Sequence, residues 1–148
     1  VVRALVPGDL EAWTAFRRDL WPEADAGELA NEARAFLATG TQPTLTAVFV
    51  ADDGSSPVGC IELSIRPFSD GCESMPVPHV EGWYVEPRAR GRGVGRALVQ
   101  AAEGWARALG FTELASDAEL SNEASQRAHA GCGFEETERL VKFRKRLA

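Results

Sequence analysis

The residues of this 148-residue chain best suited to chemistry run Glu86-Pro87-Arg88-Ala89-Arg90-Gly91-Arg92-Gly93-Val94-Gly95-Arg96-Ala97-Leu98. They follow a strand-like run, Val80 to Val85, and lead into an amphipathic helix. A turn built from Arg90, Gly91, Gly93 and Gly95 leaves backbone N–H groups uncovered at a helix N-terminus. Such a turn holds a pyrophosphate through N–H bonds and the positive end of the helix dipole. Glycine is needed there because a Cβ would keep the backbone away from the phosphates. Arg90, Arg92 and Arg96 add positive charge around the turn. A nucleoside-triphosphate loop would read G-x-x-x-x-G-K-[ST], and no Lys-Ser or Lys-Thr closes this one. The dinucleotide fingerprint G-x-G-x-x-G fails as well, since Arg96 follows Gly93-Val94-Gly95 and no second βαβ half comes after it. The pattern that fits is R-x-x-G-x-G, Arg90 to Gly95.

The elements that must position this turn read as one mixed α/β unit over residues 1–148, long enough to bury a single core. Val2 to Val6 is a short strand, and Asp9 is suited to N-cap a helix over Leu10 to Leu20 that stops at Trp21-Pro22. A second helix spans Gly27 to Ala38 and closes at Thr39-Gly40. Leu45 to Asp52 and Val58 to Ile65 form a hairpin around Asp52-Asp53-Gly54-Ser55-Ser56-Pro57. Pro67 to Pro78 is a loop whose length points to a functional role. Val80 to Val85 is the central strand, Gly95 to Leu109 a helix and Phe111 to Ser116 another strand. Asn122 to Ala130 is helical, and Glu136 to Lys142 and Phe143 to Arg146 read as one or two closing strands. The sum is antiparallel hairpins on one side and a β-α-β unit on the other.

Composition narrows the partners. Hydrophobic residues at 45% and charged residues at 26% are ordinary for a soluble protein. A net charge of −6 argues against nucleic acid, whose phosphates need an excess of Lys and Arg, and suits a cationic ligand, although acidity also serves solubility. No apolar run is long enough to span a bilayer. Val1 to Pro7 is too short for a secretory signal, and the lack of a starting Met implies a trimmed N-terminus. Cys60, Cys72 and Cys132 are odd in number, well separated and without a C-x-x-C, as expected of reduced thiols in a cytoplasmic protein. Cys132 lies three residues after His129, but a small buried thiol near a helix end is commoner than a Cys–His nucleophile pair.

The loop, together with Gly133-Phe134 near the C-terminus, resembles the acyl-coenzyme A loop of the GNAT superfamily, and that resemblance covers nearly the whole chain. Within it the chain resembles the aminoglycoside 6'-N-acetyltransferases. This narrower match rests on Leu20-Trp21-Pro22, Glu81-Gly82-Trp83-Tyr84-Val85, Ala115-Ser116-Asp117, Leu120-x-Asn122, His129 and Gly133-Phe134-Glu135-Glu136-Thr137-Glu138. The fold it implies is the GNAT acyl-CoA N-acyltransferase fold: a central mixed β-sheet, splayed at the coenzyme site and flanked by helices.

The activity it implies is transfer of acetyl from acetyl-CoA to the 6'-amine of a cationic aminoglycoside, without a metal. Glu81, Asp117 and Glu138 would contact substrate amines, and Trp21 and Phe68 would line the sugar pocket. Backbone groups of Trp83, Tyr84 and Val85 would pair with the pantetheine arm. Arg90, Gly91, Arg92, Gly93, Val94, Gly95 and Arg96 would hold the pyrophosphate, and Asn122 would bond the coenzyme arm. An ammonium has no lone pair, so a proton must leave before attack, and Asp117, or Glu81 through a water, is the candidate acceptor. Crowded carboxylates raise each other's pKa, which would help one of them take that proton. Many superfamily members carry a Tyr four residues before the Gly-Phe glycine to protonate the leaving thiolate; here that position is His129, which could do the same or serve as a structural hydrogen-bonding group.

Solvated strand ends or a helix N-cap remain the plainer readings of Glu81 and Asp117, an exposed acidic run that of Glu138, and ordinary core that of Trp21. Phe68 falls in the variable loop, where relatives often place Tyr. Two other functions stay open: a GNAT-type transferase for another amine, such as a polyamine, peptide N-terminus or metabolite, and a non-catalytic acyl-CoA- or drug-binding module. The apolar C-terminal strands allow a homodimer.

Overall fold

A computed structural model describes all 148 residues, Val1 to Ala148. Four strands, β1 (Val2–Ala4), β2 (Ala47–Asp52), β3 (Pro57–Arg66) and β4 (Val77–Val85), form one sheet in sequence order with every neighbouring pair antiparallel. Helices α1 (Leu10–Leu20) and α2 (Ala26–Thr39) lie between β1 and β2 in the chain, and α3 (Val94–Ala108) and α4 (Glu123–Gly131) follow β4.

The sheet is covered on both faces, which explains why seven consecutive residues of β3 are buried. On one face Ile61, Leu63 and Val80 meet Leu98, Val99 and Ala102 of α3, whose spacing makes a helical stripe. On the other face Val48, Cys60 and Tyr84 meet Trp13 and Phe16 of α1 and Ala33 and Phe36 of α2. Helix α2 starts where the Asp25 carboxylate accepts the Glu28 N–H at 2.9 Å and ends on Gly40 at φ 77°. Asp9 precedes α1 but does not cap it with its side chain. Its carboxylate instead accepts the Val6 N–H at 2.9 Å and pairs with Arg3 at 2.7 Å, tying the first turn to β1.

The strands expected at the C-terminal end are reduced or missing. Of Phe111 to Ser116, only Ala115 pairs, as a parallel bridge to His79: its N–H donates to Pro78 O at 2.9 Å and its carbonyl accepts the Val80 N–H at 2.8 Å. The parallel part of the sheet is this one contact. Residues 135–148, which include the closing strands expected over Glu136 to Lys142 and Phe143 to Arg146, form no regular structure and are exposed. Their apolar residues Leu140, Val141, Phe143 and Leu147 pair with no strand edge in this chain.

Beneath the sheet centre lies a buried ion pair. Arg17 of α1 donates to both carboxylate oxygens of Glu62 in β3, at 2.9 and 2.8 Å, and Trp13 Nε1 adds a third bond at 2.9 Å. Both charged side chains are almost fully buried, and Arg17 also reaches Leu29 O at 3.0 Å. Arg17→Met leaves Glu62 charged without its cation, so we expect a loss of about 3–5 kcal/mol in urea denaturation. Changing Glu62 to Leu as well removes the stranded charge and is expected to return part of that loss.

Candidate active site

The site forms where β4 changes its pairing. Gly82 of β4 stands opposite Glu62, but the next pair is Val80 with Leu63, so Glu81 is the extra residue of a β-bulge. Up to Val80 the outer edge of β4 is bonded to the Ala115 segment; beyond it that edge has no backbone partner. Glu86 N–H points back to Val58 O at 2.8 Å, so by the alternation of an antiparallel strand the groups of Val85 and Trp83 face outward. The outward Val85 carbonyl accepts Arg90 Nε at 2.8 Å.

The glycine-rich turn follows directly. Gly91 and Gly93 have φ of 77° and 81°, and a Cβ at either would meet nothing within 4 Å. Glycine is therefore required by backbone conformation, and the space beside it is open. Backbone N–H groups from Gly91 to Arg96 have no backbone partner, and the first bond of the α3 ladder is Ala97 N–H to Gly93 O at 3.0 Å. Gly95 is constrained differently: a Cβ there would sit 3.3 Å from the Trp83 ring, whose Nε1 donates to Gly95 O at 3.2 Å. Arg96 is turned to Gly131 O at 2.6 Å, linking α3 to the end of α4, while Arg92 is exposed. Tyr84, expected to pair with the pantetheine arm, offers the site no group: by the same alternation its backbone faces Cys60 of β3, and its ring is buried on the opposite face with its hydroxyl on Asp19 at 2.7 Å. This cradle of free N–H groups beside an open strand edge fits an acyl-coenzyme A.

Two of the expected carboxylates converge, and three residues missed by sequence reasoning hold them. Glu81 accepts Ser64 Oγ at 2.8 Å and the Arg66 guanidinium at 2.9 and 2.6 Å. His79 lies between the acids, Nδ1 3.2 Å from Glu81 Oε2 and Nε2 3.6 Å from Asp117 Oδ2. The spacing His79-x-Glu81 on a strand, and Ser64-x-Arg66 on its neighbour, was the available signal. Crowding does not raise these acids as expected. Burial pushes Glu81 upward, but the His79, Arg66 and Ser64 contacts overcome it and hold the carboxyl at about 2. His79 lowers Asp117 against a smaller effect of desolvation. The physical reason is that cationic and hydrogen-bonding groups lie closer to each acid than the acids lie to each other.

Asp117 is exposed and is not a helix cap; Asn122 caps α4, its Oδ1 accepting the Ser125 N–H at 3.0 Å. His129 is satisfied at both nitrogens. Its Nδ1 donates to the Ser125 carbonyl at 2.7 Å, so Nε2 accepts from Ser116 Oγ at 2.7 Å. Its ring meets the Trp83 and Phe134 rings edge-on, with centroids 5.2 and 5.1 Å away. Trp21 is half-buried on Gly82, where a Cβ would come within 2.9 Å of the indole, and the Arg17 guanidinium lies 5.3 Å from its ring centroid. Phe68 is exposed on the β3–β4 loop. That loop is pinned by Glu113, a further residue missed from sequence, which accepts the Ser74 N–H and Oγ, both at 2.6 Å. Glu138 is exposed and contacts neither Glu81 nor Asp117; its neighbour Thr137 packs on Gly71 of the same loop. No group of three or more His, Cys, Asp or Glu side chains is arranged to hold a metal.

The sequence profile of the Acetyltransferase (GNAT) family matches residues 11–134. The chain belongs to the GNAT family. Among curated GNAT relatives, the aminoglycoside N(6')-acetyltransferase type 1 of Klebsiella aerogenes is 45% identical, the match covering 99% of this chain and 97% of that enzyme. The enzyme of the same name from Salmonella enteritidis is 37% identical over 98% of each. Among solved structures, AAC(6')-Iy in complex with the bisubstrate analog CoA-S-monomethyl-acetylneamine superposes with a TM-score of 0.88 at 35% identity, covering 99% of this chain and 98% of that one. Apo AAC(6')-IG from Acinetobacter haemolyticus gives 0.88 at 32%, covering 100% and 99%.

The electrostatics of this GNAT site fix a pH dependence of stability. Glu81 titrates near 2 when folded against an ordinary 4.5, so its contribution is present above 4.5 and is lost as pH falls toward 2. We expect thermal midpoints of the wild type to fall through that window and those of Glu81→Gln to fall less steeply, as read by circular dichroism.

Proposed function

We propose that residues 1–148 form one catalytic domain that transfers acetyl from acetyl-CoA to the 6'-amine of aminoglycosides, with drug resistance as the consequence. The observation that carries the reading is the meeting of an open β4 edge, a glycine cradle of free N–H groups and the Glu81–Asp117 acids at one point. Relatives named for this reaction match over nearly the whole chain. No helix is long and apolar enough to cross a membrane, and the three thiols are unpaired, which fits a cytoplasmic enzyme.

The coenzyme, when bound, supplies the thioester carbon that the amine attacks. Gly91 to Arg96 hold its pyrophosphate, the outward groups of Trp83 and Val85 pair with its arm as an added strand, and an N–H of that edge polarises the thioester carbonyl. Asn122 bonds the coenzyme arm with its free amide nitrogen. Trp21 and Phe68 border the sugar site, and Glu138 reaches the drug from the C-terminal segment. Asp117, the exposed acid, meets the incoming ammonium and takes its proton, while Glu81, locked to Arg66 and Ser64, contributes charge. His129, with both nitrogens engaged, supports Trp83 and Phe134.

A thiol-release assay with acetyl-CoA tests the reading. Kanamycin-type drugs with a 6'-amine are expected to turn over, and 6'-hydroxyl analogues and spermidine are not, with mass spectrometry placing the acetyl group on the 6'-nitrogen. Asp117→Asn is expected to lower kcat/KM by about a hundredfold, seen in kcat at saturating drug, as for loss of a proton acceptor. A loss confined to KM that shrinks with added salt would assign Asp117 to charge attraction alone.

We infer a homodimer from the C-terminal segment. Its apolar residues Leu140, Val141, Phe143 and Leu147 are exposed and find no partner within the chain. Light scattering is expected to give a dimer mass for the full chain and a monomer mass once Leu140–Ala148 are removed.

A further inference from the structure

His79 is a buried imidazole between two carboxylates that belong to different elements. Only 1% of the residue is exposed, and its Nδ1 has no hydrogen-bond partner despite lying 3.2 Å from Glu81 Oε2, because the contact is poorly directed. Its Nε2 points toward Asp117 Oδ2 at 3.6 Å, an ion-pair distance longer than a hydrogen bond. Contacts of this kind in a ligand-free site commonly tighten when substrate binds. The backbone fixes the arrangement: the bridge between His79 and Ala115 holds β4 two residues from Asp117, and the bulge at Glu81 turns that acid toward the ring. A buried polar atom without a partner calls for a reason, and packing alone would be served as well by an apolar side chain.

We propose that His79 is a positioning residue behind Asp117 that receives the proton the acceptor amine gives up. The proposal rests on Asp117 meeting that amine. An N–H bond of the substrate ammonium breaks, leaving the electron pair on nitrogen for attack, and an O–H bond forms on Asp117. That O–H bond then breaks as an N–H bond forms at His79 Nε2. The resulting imidazolium lies between the Glu81 and Asp117 carboxylates, with its Nδ1–H toward Glu81. After product leaves, the proton returns through Asp117 to solvent. Asp117 by itself is a poor resting place for a proton, because an aspartic carboxyl is a much stronger acid than an imidazolium.

The charged groups around the ring favour this role. Glu81 on β4 and Asp117 after Ala115 stabilise the imidazolium, while Arg66 on β3 and burial oppose it; the acids prevail, and His79 titrates above its ordinary 6.5. The relay starts only from neutral His79, so protonation of the free enzyme must slow the reaction on the acid side of neutrality.

The test compares wild type with His79→Gln in kcat and kcat/KM from about pH 5 to about pH 9. The wild type is expected to show an acid limb with a midpoint above 6.5. His79→Gln is expected to lose that limb and at least about tenfold in kcat, with the KM for acetyl-CoA unchanged. A folded His79→Gln protein with wild-type kcat and an unaltered limb overturns the relay. The chain has two histidines, so the imidazole proton signal missing from His79→Gln identifies His79 in NMR spectra. Its midpoint is expected to fall in Asp117→Asn; an unchanged midpoint overturns the coupling without any reference to turnover. Should His79→Gln not fold, that titration, assigned through Asp117→Asn, carries the decision. Wild-type protein that acetylates no aminoglycoside would defeat the functional reading, whereas turnover with an unaltered profile in His79→Gln defeats the relay alone.

Discussion

The site depends on one break in hydrogen bonding. β4 is bonded to β3 on one edge and to Ala115 on the other at Pro78 and Val80, and past the bulge at Glu81 only its β3 edge has backbone partners. Unpaired backbone groups are costly inside a protein, so an open edge in the middle of a domain must face either water or a ligand. Here it runs into a turn whose N–H groups are also unpaired, because the first turn of any helix lacks internal acceptors. Strand edge and helix start thus present two sets of free backbone groups, one on either side of the internally bonded turn at Pro87–Arg90, suited to an extended chain ending in phosphates. The same bulge re-aims Glu81, so coenzyme site and acid cluster arise from one backbone irregularity.

The acid cluster is organised by cations rather than by mutual repulsion. Arg66 and Ser64 bind Glu81, and His79 lies between Glu81 and Asp117, so both acids are held ionised. Two fixed negative charges suit a cationic ligand but accept protons weakly.

Support for Trp21 comes from the other face of the sheet. The Arg17–Glu62 pair fixes α1 to β3, and the Arg17 guanidinium lies beside Trp21, which rests on Gly82 next to the bulge. A buried charge pair adds little net stability over apolar packing, but its hydrogen bonds set orientation. The β3–β4 loop is held at the other side of the site by Glu113.

Most of the fold could be read from the sequence because its signals are local. Helix α3 follows from its apolar stripe, α2 from Asp25 and Gly40, and the turn from glycines whose positive φ excludes other residues. The glycine turn and the family resemblance were legible at that level. What only the tertiary structure decided depends on distant partners. Phe111 to Ser116 has strand character, yet only Ala115 finds a partner; the C-terminal segment has strand character and finds none in this chain. Pairing requires a free edge in register, which no local pattern encodes. The ionisation of Glu81 and the placement of His79 were likewise hidden, because a pKa is set by the charges that folding brings close, and Ser64, Arg66 and Asp117 reach those two side chains only through the sheet.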